Sequence, residues 1–556
     1  MRNLKFKNGK PMQAKEMIEA DVLCIGGGIA GLMAAIRASE LGAKVVVAEK
    51  GNTLTSGAGG LGNDHFVCYI PEIHGPEVMP VIEELRRGQL SARLKDLEKT
   101  RLWMEHTYDI VKLWDSWGIP MKYRGRYEFA GHVYPGDAYA CHLKYAGKKQ
   151  KSVLTKEALK RGVKIINRVM IFELLSDNGI FGAIGLHTRD GHLIEFRSKS
   201  AILGTGTVAR LYQGLTPGWM FNATRPGTLT GDGRIMAYRA GAELFNVETL
   251  EHHAGPKYFT RSGQATWVGV VRDPRGKPIG PFLEKPDKRY SDMIIEVNKG
   301  LFSEYARSGK GPVYMDCRGI SENDYKYMQH WFAQEGFGAF TDHLHAKGID
   351  LRKNPIEWAT YGMRGSCGSI WQDINGQTSI KGLYVAGDET TRSISPAATF
   401  GWIAGEHAAR WVKDVEAGFS TKAKECIKEK GSFLSEIMRR EEGPDWKEVN
   451  IALQQIMSDY AGSIRSESLL EAGHDHLRRL KQEARDTIIA GNPHELSRAL
   501  EVLNLIDLGE LVCVAAKERK ETRGQHNRTD YAYTNPILDK YLIVKNVDGQ
   551  PVTEWR

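Results

Sequence analysis

The sequence predicts an α/β protein with its main sheet written in two stretches of chain, an α+β insertion between them and a helical bundle after the second. Three observations predict it. A complete strand-helix-strand unit stands at residues 21–50, DVLCIGGGIAGLMAAIRASELGAKVVVAEK. Two further apolar strands that run into glycine turns, SAILGTG at 200–206 and KGLYVAGDET at 381–390, are separated by a long stretch without clean periodicity. From about residue 421 the pattern changes to amphipathic helices.

In the first unit, Val22 to Ile25 is a short apolar run suited to a buried parallel strand, and Leu32 to Leu41 has helical character. Between them Gly26, Gly28 and Gly31 hold the G-x-G-x-x-G spacing of a Rossmann-like dinucleotide-binding turn. Gly26 permits the tight turn, Gly28 lets the backbone approach a pyrophosphate, and Gly31 lets helix and strand pack closely. The helix N-terminus adds free N–H groups and a positive dipole end. A second strand, Lys44 to Ala48, ends in Glu49, placed to bond a ribose hydroxyl, and its charge disfavours a 2′-phosphate. The unit therefore predicts FAD or NAD and not NADP. Enzymes that pass hydride from NAD(P)H through FAD commonly carry two such units. This chain has one full fingerprint, which predicts a resident flavin whose electrons enter or leave by another route.

The later segments follow in order. Ile180 to Phe196 alternates like a hairpin and leads into the strand at Ser200 to Gly206. An insertion between about 250 and 350, rich in charges and aromatics, suits a cap over a cofactor. A third apolar strand at 383–386 closes on Gly387 and Asp388, and a small-residue helix, Ala397 to Ala409, comes next. Amphipathic helices are predicted over Phe433 to Arg440, Trp446 to Ser458, Ser466 to Ala490 and Pro493 to Arg519, broken at Gly443, Gly462 and Gly491, with a polar tail beyond.

At 556 residues the chain exceeds a single core and can bury a cofactor whole. Its net charge of +8 is spread without blocks, which suits solubility and, secondarily, a basic cleft for an anionic substrate; it gives no support to nucleic-acid binding. The N-terminus lacks the apolar core of a signal peptide and no run of 18 apolar residues occurs, so a soluble, cytoplasmic protein without a transmembrane segment is expected. Seven cysteines, Cys24, Cys68, Cys141, Cys317, Cys367, Cys426 and Cys513, are widely spaced with no C-x-x-C. Neither an iron-sulfur cluster nor a structural zinc is therefore expected within this chain, and no metal site is predicted. An odd, unpaired count also fits a reducing compartment.

These landmarks, in this order, resemble the flavoprotein subunits of the succinate dehydrogenase and fumarate reductase superfamily, which includes the α subunit of adenylylsulfate reductase. The stretches that carry the resemblance are IGGGIAGLMAAIRASELGAKVVVAEK, AILGTGTVARLY, TGDGRIMAYRAGAEL, SIKGLYVAGDET and KERKETRGQHNRTDY, spanning nearly the whole chain. It implies a Rossmann-like FAD-binding domain in two segments (1–250 and 353–420), an inserted α+β capping domain (251–352), a helical domain (421–519) and a C-terminal tail (520–556). Gly26, Gly28, Ala30 and Gly31 would meet the FAD pyrophosphate, Glu49 the ribose, and Lys50 would border that pocket. Ser56, Gly57, Gly59 and Gly60 would line the isoalloxazine ring. Thr205 and Gly206 match the adenine-side turn, and Asp232 a further contact. Gly387 and Asp388 would meet the ribityl chain, and a helix opening near Ala397, Ala398 and Thr399 would aim its positive end at the flavin. In membrane-bound relatives a histidine joined covalently to the flavin opens the ring-lining segment; here Leu54 and Thr55 precede Ser56, so non-covalent FAD is expected.

The resemblance breaks at reacting positions. Where the cap of fumarate and succinate enzymes has S-R-D, this chain has Arg289, Tyr290, Ser291 and Asp292, so the catalytic arginine position holds Ser291. Their H-Y-T-M-G-G histidine is missing from ATYGMRGSCG, and their second clamp arginine from SISPAATFG. The adenylylsulfate reductase branch matches better, with Cys367 and Trp371 in register in GMRGSCGSIW and GPKYFTRSG in the cap. Yet Arg364 replaces its histidine and Lys257 its arginine, losing a group that titrates near neutrality and a bidentate fork.

The expected substrate site is therefore cationic: His252, His253, Lys257 and Arg261 from the cap, joined by Arg364, facing a small anionic substrate beside the flavin. Each of these taken alone also reads as an ordinary surface or core residue. His65 stands either at the flavin edge or in a turn, satisfying backbone groups. Trp267, Trp358 and Trp371 read as core, or as pocket and electron-bridging residues; Cys367 as an inert thiol; Arg523, His526 and Arg528 as structural. The expectation is an FAD-dependent oxidoreductase passing electrons through an iron-sulfur, ferredoxin-like partner subunit. The alternatives are a fumarate reductase or succinate dehydrogenase type of flavoprotein and a non-catalytic FAD relay subunit.

Overall fold

The computed structural model describes residues 11–87, 96–131, 133, 137–214, 223, 225–251, 254–257, 259, 266–279, 283–291, 305, 308–360, 364–365, 368–389, 393–416 and 421–556. The first unit forms as β1 (Ala14–Ile25), α1 (Ile29–Glu40) and β2 (Val45–Glu49). After a 3₁₀ turn at Ala58–Leu61 come β3 (His65–Val67), α2 (Pro71–His74), α3 (Met79–Arg87), α4 (Leu97–Ser116), β4 (Glu128–Phe129) and β5 (His142–Lys144). Strands β3, β5 and β4 pair in that order as a small antiparallel sheet. α5 (Gln150–Lys160), β6 (Lys164–Asn167), β7 (Val169–Ser176), β8 (Ile180–His187) and β9 (Leu193–Leu203) follow. The main sheet runs β6-β2-β1-β9, all parallel, with the antiparallel β8-β7 beside the first half of β9. Val22, Leu23, Cys24 and Val45 to Val47 are all buried, as strands covered on both faces must be.

Beyond α6 (Asp232–Arg239), β10 (Leu244–Phe245) and β11 (Leu250–Glu251), the insertion builds its own sheet and core. Its strands are β12 (Ala254–Pro256), β13 (Val270–Arg272), β14 (Val313–Asp316) and β15 (Ile356–Thr360), in the order β12-β15-β14-β13. Helices α7 (Glu322–Gln334) and α8 (Gly338–Ala346) cover it. Trp267 and Trp358 are buried there, edge to face at 5.3 Å, with Phe332 and Phe340; they are core. The chain then returns through β16 (Arg364–Gly365) and β17 (Ser369–Ile370) to β18 (Leu383–Val385), which pairs in parallel with the second half of β9, Leu383 opposite Ala201. The nucleotide-binding sheet is thus completed by residues from both sides of the insertion.

α9 (Ile394–Trp411) opens three residues before the Ala397 start read from the sequence. The Ala397 N–H already bonds the Ser393 carbonyl at 3.2 Å, so the free end of the helix lies at Ile394 and Ser395 and not at Ala397 to Thr399. The bundle comprises α10 (Thr421–Arg439), α11 (Trp446–Tyr460), α12 (Glu467–Thr487) and α13 (Pro493–Glu518). α10 begins well before Phe433 and runs through Gly431, where the Met12 backbone packs too close for a Cβ. The predicted polar tail carries a hairpin, β19 (Leu542–Val547) and β20 (Gln550–Trp555), whose Val544 pairs with Leu244 of β10. Leu542, Ile543 and Val544 are buried by that pairing, a tertiary contact that sequence alternation did not announce.

Candidate functional site

The glycine turn links β1, α1 and β9. Gly26 sits at φ +98°, and a Cβ on Gly31 would run into the Gly26 carbonyl. Gly28 caps α1 without a side-chain partner for the helix N–H groups, which leaves them for an anion. Glu49, buried at the end of β2, accepts the N–H groups of Gly27 and Gly51, each at 2.6 Å. Lys151 of α5, which no motif singled out, is buried beneath the turn and donates to the Gly27 carbonyl. Burial pulls its ammonium down to about 8, with the Glu49 charge opposing.

Beside this turn lies the small-residue segment. Gln150 of α5 donates to the Gly59 carbonyl at 2.9 Å, and Tyr145 donates to Gln150 at 2.6 Å. Ser56 Oγ, Thr53 Oγ1 and Thr399 Oγ1 are buried without a hydrogen-bond partner among the described residues. From the second segment, Gly387 (φ +78°) and the body of α9 press on α1 through Gly401 and Gly405, whose missing Cβ atoms make room for the backbone of Ala30 and Ala34. Ala397, Ala398 and Thr399 are buried within α9. Asp388 is half-buried.

Two predicted contacts are engaged with the protein itself. Lys50 pairs with Asp232 at 2.7 Å and with Glu501 of α13 at 2.8 Å, and Asn504 donates to Asp232 at 2.9 Å. The Lys50–Asp232 pair therefore joins the main sheet to the bundle instead of standing bare beside the cofactor pocket. Thr205 bonds Glu389 and accepts the Gly233 N–H at 3.1 Å. Arg234, fully buried, lies 3.4 Å from Glu389 and donates to the Asp388 carbonyl at 2.7 Å. Burial raises the Glu389 carboxyl, against the pull of the Arg234 charge. Gly206, at φ +86°, closes the strand beneath them.

On the cap side, β11 pairs with β16 so that Glu251 faces Arg364, and β12 pairs with β15. The Arg364 backbone thus lies opposite Glu251, whereas the Lys257 N–H bonds the Glu357 carbonyl at 2.9 Å. Lys257 is half-exposed and bonded to Glu357 at 2.8 Å. His252, His253, Arg261, Cys367 and the side chain of Arg364 lie outside the described residues. Ser291 is buried. Trp371 is half-buried against Phe245 and Tyr541. Arg528 and His526 are buried, Arg528 paired with Asp530 and Glu467 and His526 with Arg465, and Arg523 is held by Glu521 and Asp539. All three tail residues carry structural contacts.

A second polar cluster joins β3 and β5 to the cap. His65 Nδ1 meets Asp64 Oδ1 at 2.6 Å; Lys144 Nζ stands 3.3 Å from Asp64 Oδ2, and Thr266 bonds both Asp64 and Lys144. Burial alone would raise the Asp64 carboxyl; the Lys144 charge and hydrogen bonds from His65 and Thr266 hold it well below the usual carboxylate range. Asp64, His65 and Glu335 bring potential metal ligands within 4.8 Å of one another, as do His187, Asp190 and His192 on the β8–β9 turn. The Lys144 ammonium opposes a divalent cation in the first group.

The residues present fit FAD. A helix N-terminus without side-chain caps, buried hydroxyls without partners and walls whose glycines leave no Cβ make an anion-binding, hydrogen-bonding cradle. Comparison with known proteins agrees. Residues 21–207 match the family described as FAD dependent oxidoreductase, 139–401 the FAD binding domain family and 450–546 the fumarate reductase flavoprotein C-terminal family. A fumarate reductase (CoM/CoB) subunit from Methanothermobacter marburgensis is 24% identical over 561 residues, covering 95% of this chain and 97% of the relative. Adenylylsulfate reductase from Archaeoglobus fulgidus superposes with a TM-score of 0.81 at 22% identity, covering 98% of each chain. E. coli quinol fumarate reductase does so with 0.80 at 20% identity, covering 97% of each. Among the described residues no helix is long and apolar enough to cross a membrane. With its split nucleotide-binding sheet, its inserted domain and these matches along most of its length, the chain carries the FAD-binding and fumarate reductase flavoprotein C-terminal domains and is an FAD-dependent oxidoreductase.

Proposed function

We propose that this chain is the catalytic subunit of a two-component oxidoreductase, nearest in kind to the α subunit of adenylylsulfate reductase. It exchanges a hydride between non-covalent FAD and a small anionic substrate, and single electrons with an iron-sulfur, ferredoxin-like partner. The observation that supports the reading is the β11–β16 register, which pairs Arg364 with Glu251, next in sequence to His252 and His253, while the Lys257 N–H bonds the Glu357 carbonyl farther along the same pair of segments. Bound FAD supplies the two-electron hydride chemistry. Gly26, Gly28, Ala30 and Gly31 with the α1 N-terminus would hold its pyrophosphate, Glu49 its ribose, and Ser56, Gly57, Gly59 and Gly60 its ring. Thr205, Gly206, Gly387 and Asp388 would border the rest. Lys257 and Arg364 would bind and orient the anion, and the cap would exclude water. Leu54 and Thr55 offer no histidine for a covalent bond to the flavin.

Acid precipitation of the purified protein should release a yellow supernatant. Lys257→Met and Arg364→Met should each lower turnover at least tenfold while leaving FAD bound, measured on a panel of small anions with an artificial one-electron donor. Flavin retained in the pellet would overturn the non-covalent reading, and stoichiometric NAD(P)H oxidation by the isolated chain would sink the partner. The Lys257–Glu357 pair favours a second reading, an FAD relay subunit, because it neutralises a cation that a substrate anion needs. Unchanged turnover of the complex in both variants would select it.

A further inference from the structure

We infer that His65, oriented by the buried Asp64–Lys144 pair, is the residue that gives and takes the proton accompanying hydride exchange in this site. The inference rests on the proposed flavin oxidoreductase reading and names a proton carrier for it. A hydride alone leaves a reduced substrate one proton short, and imidazole is the side chain that changes charge near neutrality. The places from which the resemblance would draw an arginine and a histidine hold Ser291 and the histidine-free run 360–365.

The geometry converges on His65 from several segments. Asp64 Oδ1 faces His65 Nδ1 at 2.6 Å, while Asp64 Oδ2 faces Lys144 and accepts from Thr266. Asp64, Lys144 and Thr266 are fully buried; the His65 side chain is 20% exposed, so it is the member that can reach solvent. Glu335, at the end of α7, accepts the Asp64 N–H at 3.3 Å. His142 lies with its ring 5.7 Å from that of His65; burial, then the His65 and Lys144 charges, push it well below the ordinary histidine value. Asp64, His142, Lys144 and Glu335 are thus ionisable groups gathered at this cluster. A buried ion pair is costly to place. Its effect here is a fixed anionic oxygen at Nδ1, which keeps that nitrogen protonated and makes Nε2 the exchanging one.

His65 stands five residues beyond Gly60, the last of the residues expected to line the ring, and its strand is tied to that segment. The Asn63 side chain donates to the His65 carbonyl at 2.5 Å, the Gly147 N–H donates to the Asn63 carbonyl at 3.0 Å, and Gln150 holds Gly59. In the reducing direction the substrate gains a hydride from reduced FAD and a proton from the His65 imidazolium. That would leave oxidised flavin and neutral His65; water would return one proton to the imidazole and a second to the flavin, which with two single electrons from the iron-sulfur partner would restore the hydride donor. The oxidising direction reverses each transfer.

The test needs no substrate. The flavin midpoint potential of the FAD-loaded protein is followed against pH by spectroelectrochemistry, for the wild type, His65→Gln, Lys144→Met, Thr266→Val and His142→Gln. Added electrons on the cofactor tighten proton binding at a neighbouring imidazole, so the wild-type profile should carry a bend. His65→Gln should remove that bend, Lys144→Met or, if it does not fold, Thr266→Val should move it, and His142→Gln should leave it. A straight wild-type profile, or a bend that survives His65→Gln, overturns the inference. A protein that never retains FAD overturns the proposed function instead.

Discussion

Lys151 shows what burial does to a single charge. Its ammonium, inside the fold beneath Gly27, loses its proton at about 8 against an ordinary 10.5. Between those values the unfolded chain binds more protons than the folded one, so this residue makes stability rise with pH through the window. The shift corresponds to about 3 kcal/mol. Urea midpoints across that window should climb in the wild type and stay flatter in Lys151→Met. Gly31 is constrained by contact instead: Gly31→Ala places its Cβ on the Gly26 carbonyl, which should cost about 1–3 kcal/mol and empty the flavin site, read as an absorbance ratio after gel filtration. The glycine spacing and Glu49 were legible in the sequence because they repeat a fixed geometry. Lys151, Asp64 and Lys144 were not, since a lysine's burial depends on segments distant in the chain.

At the scale of elements, α1 and α9 approach closely because Gly401 and Gly405 face the backbone of Ala30 and Ala34. Gly405→Val should force them apart, lowering the melting temperature by several degrees and speeding flavin release, followed by fluorescence. α13 is buried on all sides, with Leu496, Val502, Leu505, Leu508 and Val512 among its core residues. It starts at Asn492, whose side chain accepts the Glu495 N–H at 3.0 Å. Asn492→Ala should cost about 1 kcal/mol, seen as a lower denaturant midpoint with the slope unchanged. Strand-helix order was readable from apolar periodicity, but two helices start earlier than the sequence placed them: α9 at Ile394, where the Ser393 carbonyl takes the Ala397 N–H, and α10 at Thr421, running through Gly431 where the Met12 backbone packs.

For the whole molecule, one buried ionic cluster ties the nucleotide-binding sheet to the bundle. Glu501 of α13 meets Lys50 at 2.8 Å, Arg210 at 2.5 Å and Arg498 at 2.8 Å. Burial raises its carboxyl, yet the Lys50, Arg210 and Arg498 charges outweigh that and bring it down to about 2 from 4.5. The folded value is depressed, so this stabilisation is complete above 4.5 and is lost as pH falls towards 2. Glu501→Gln should destabilise by about 3–5 kcal/mol at neutral pH and flatten the acid limb of a stability profile. Arg519, bonded to Glu248 at 2.6 Å and Glu521 at 2.9 Å, fastens the tail to the same body.

The sequence by itself determined the split α/β architecture, the dinucleotide turn, the missing second nucleotide unit and the absence of closely spaced cysteines. Each of these is written in residues near one another along the chain. Tertiary structure decided which charges are bare and which are paired: Lys50 and Asp232 pair with each other and meet Glu501 and Asn504 of the bundle, Lys257 meets Glu357, and Asp64 and Lys144 enclose His65 between sheet and cap. Such pairings join residues far apart in sequence, and a charge's chemistry follows from what folding sets within a few ångströms of it.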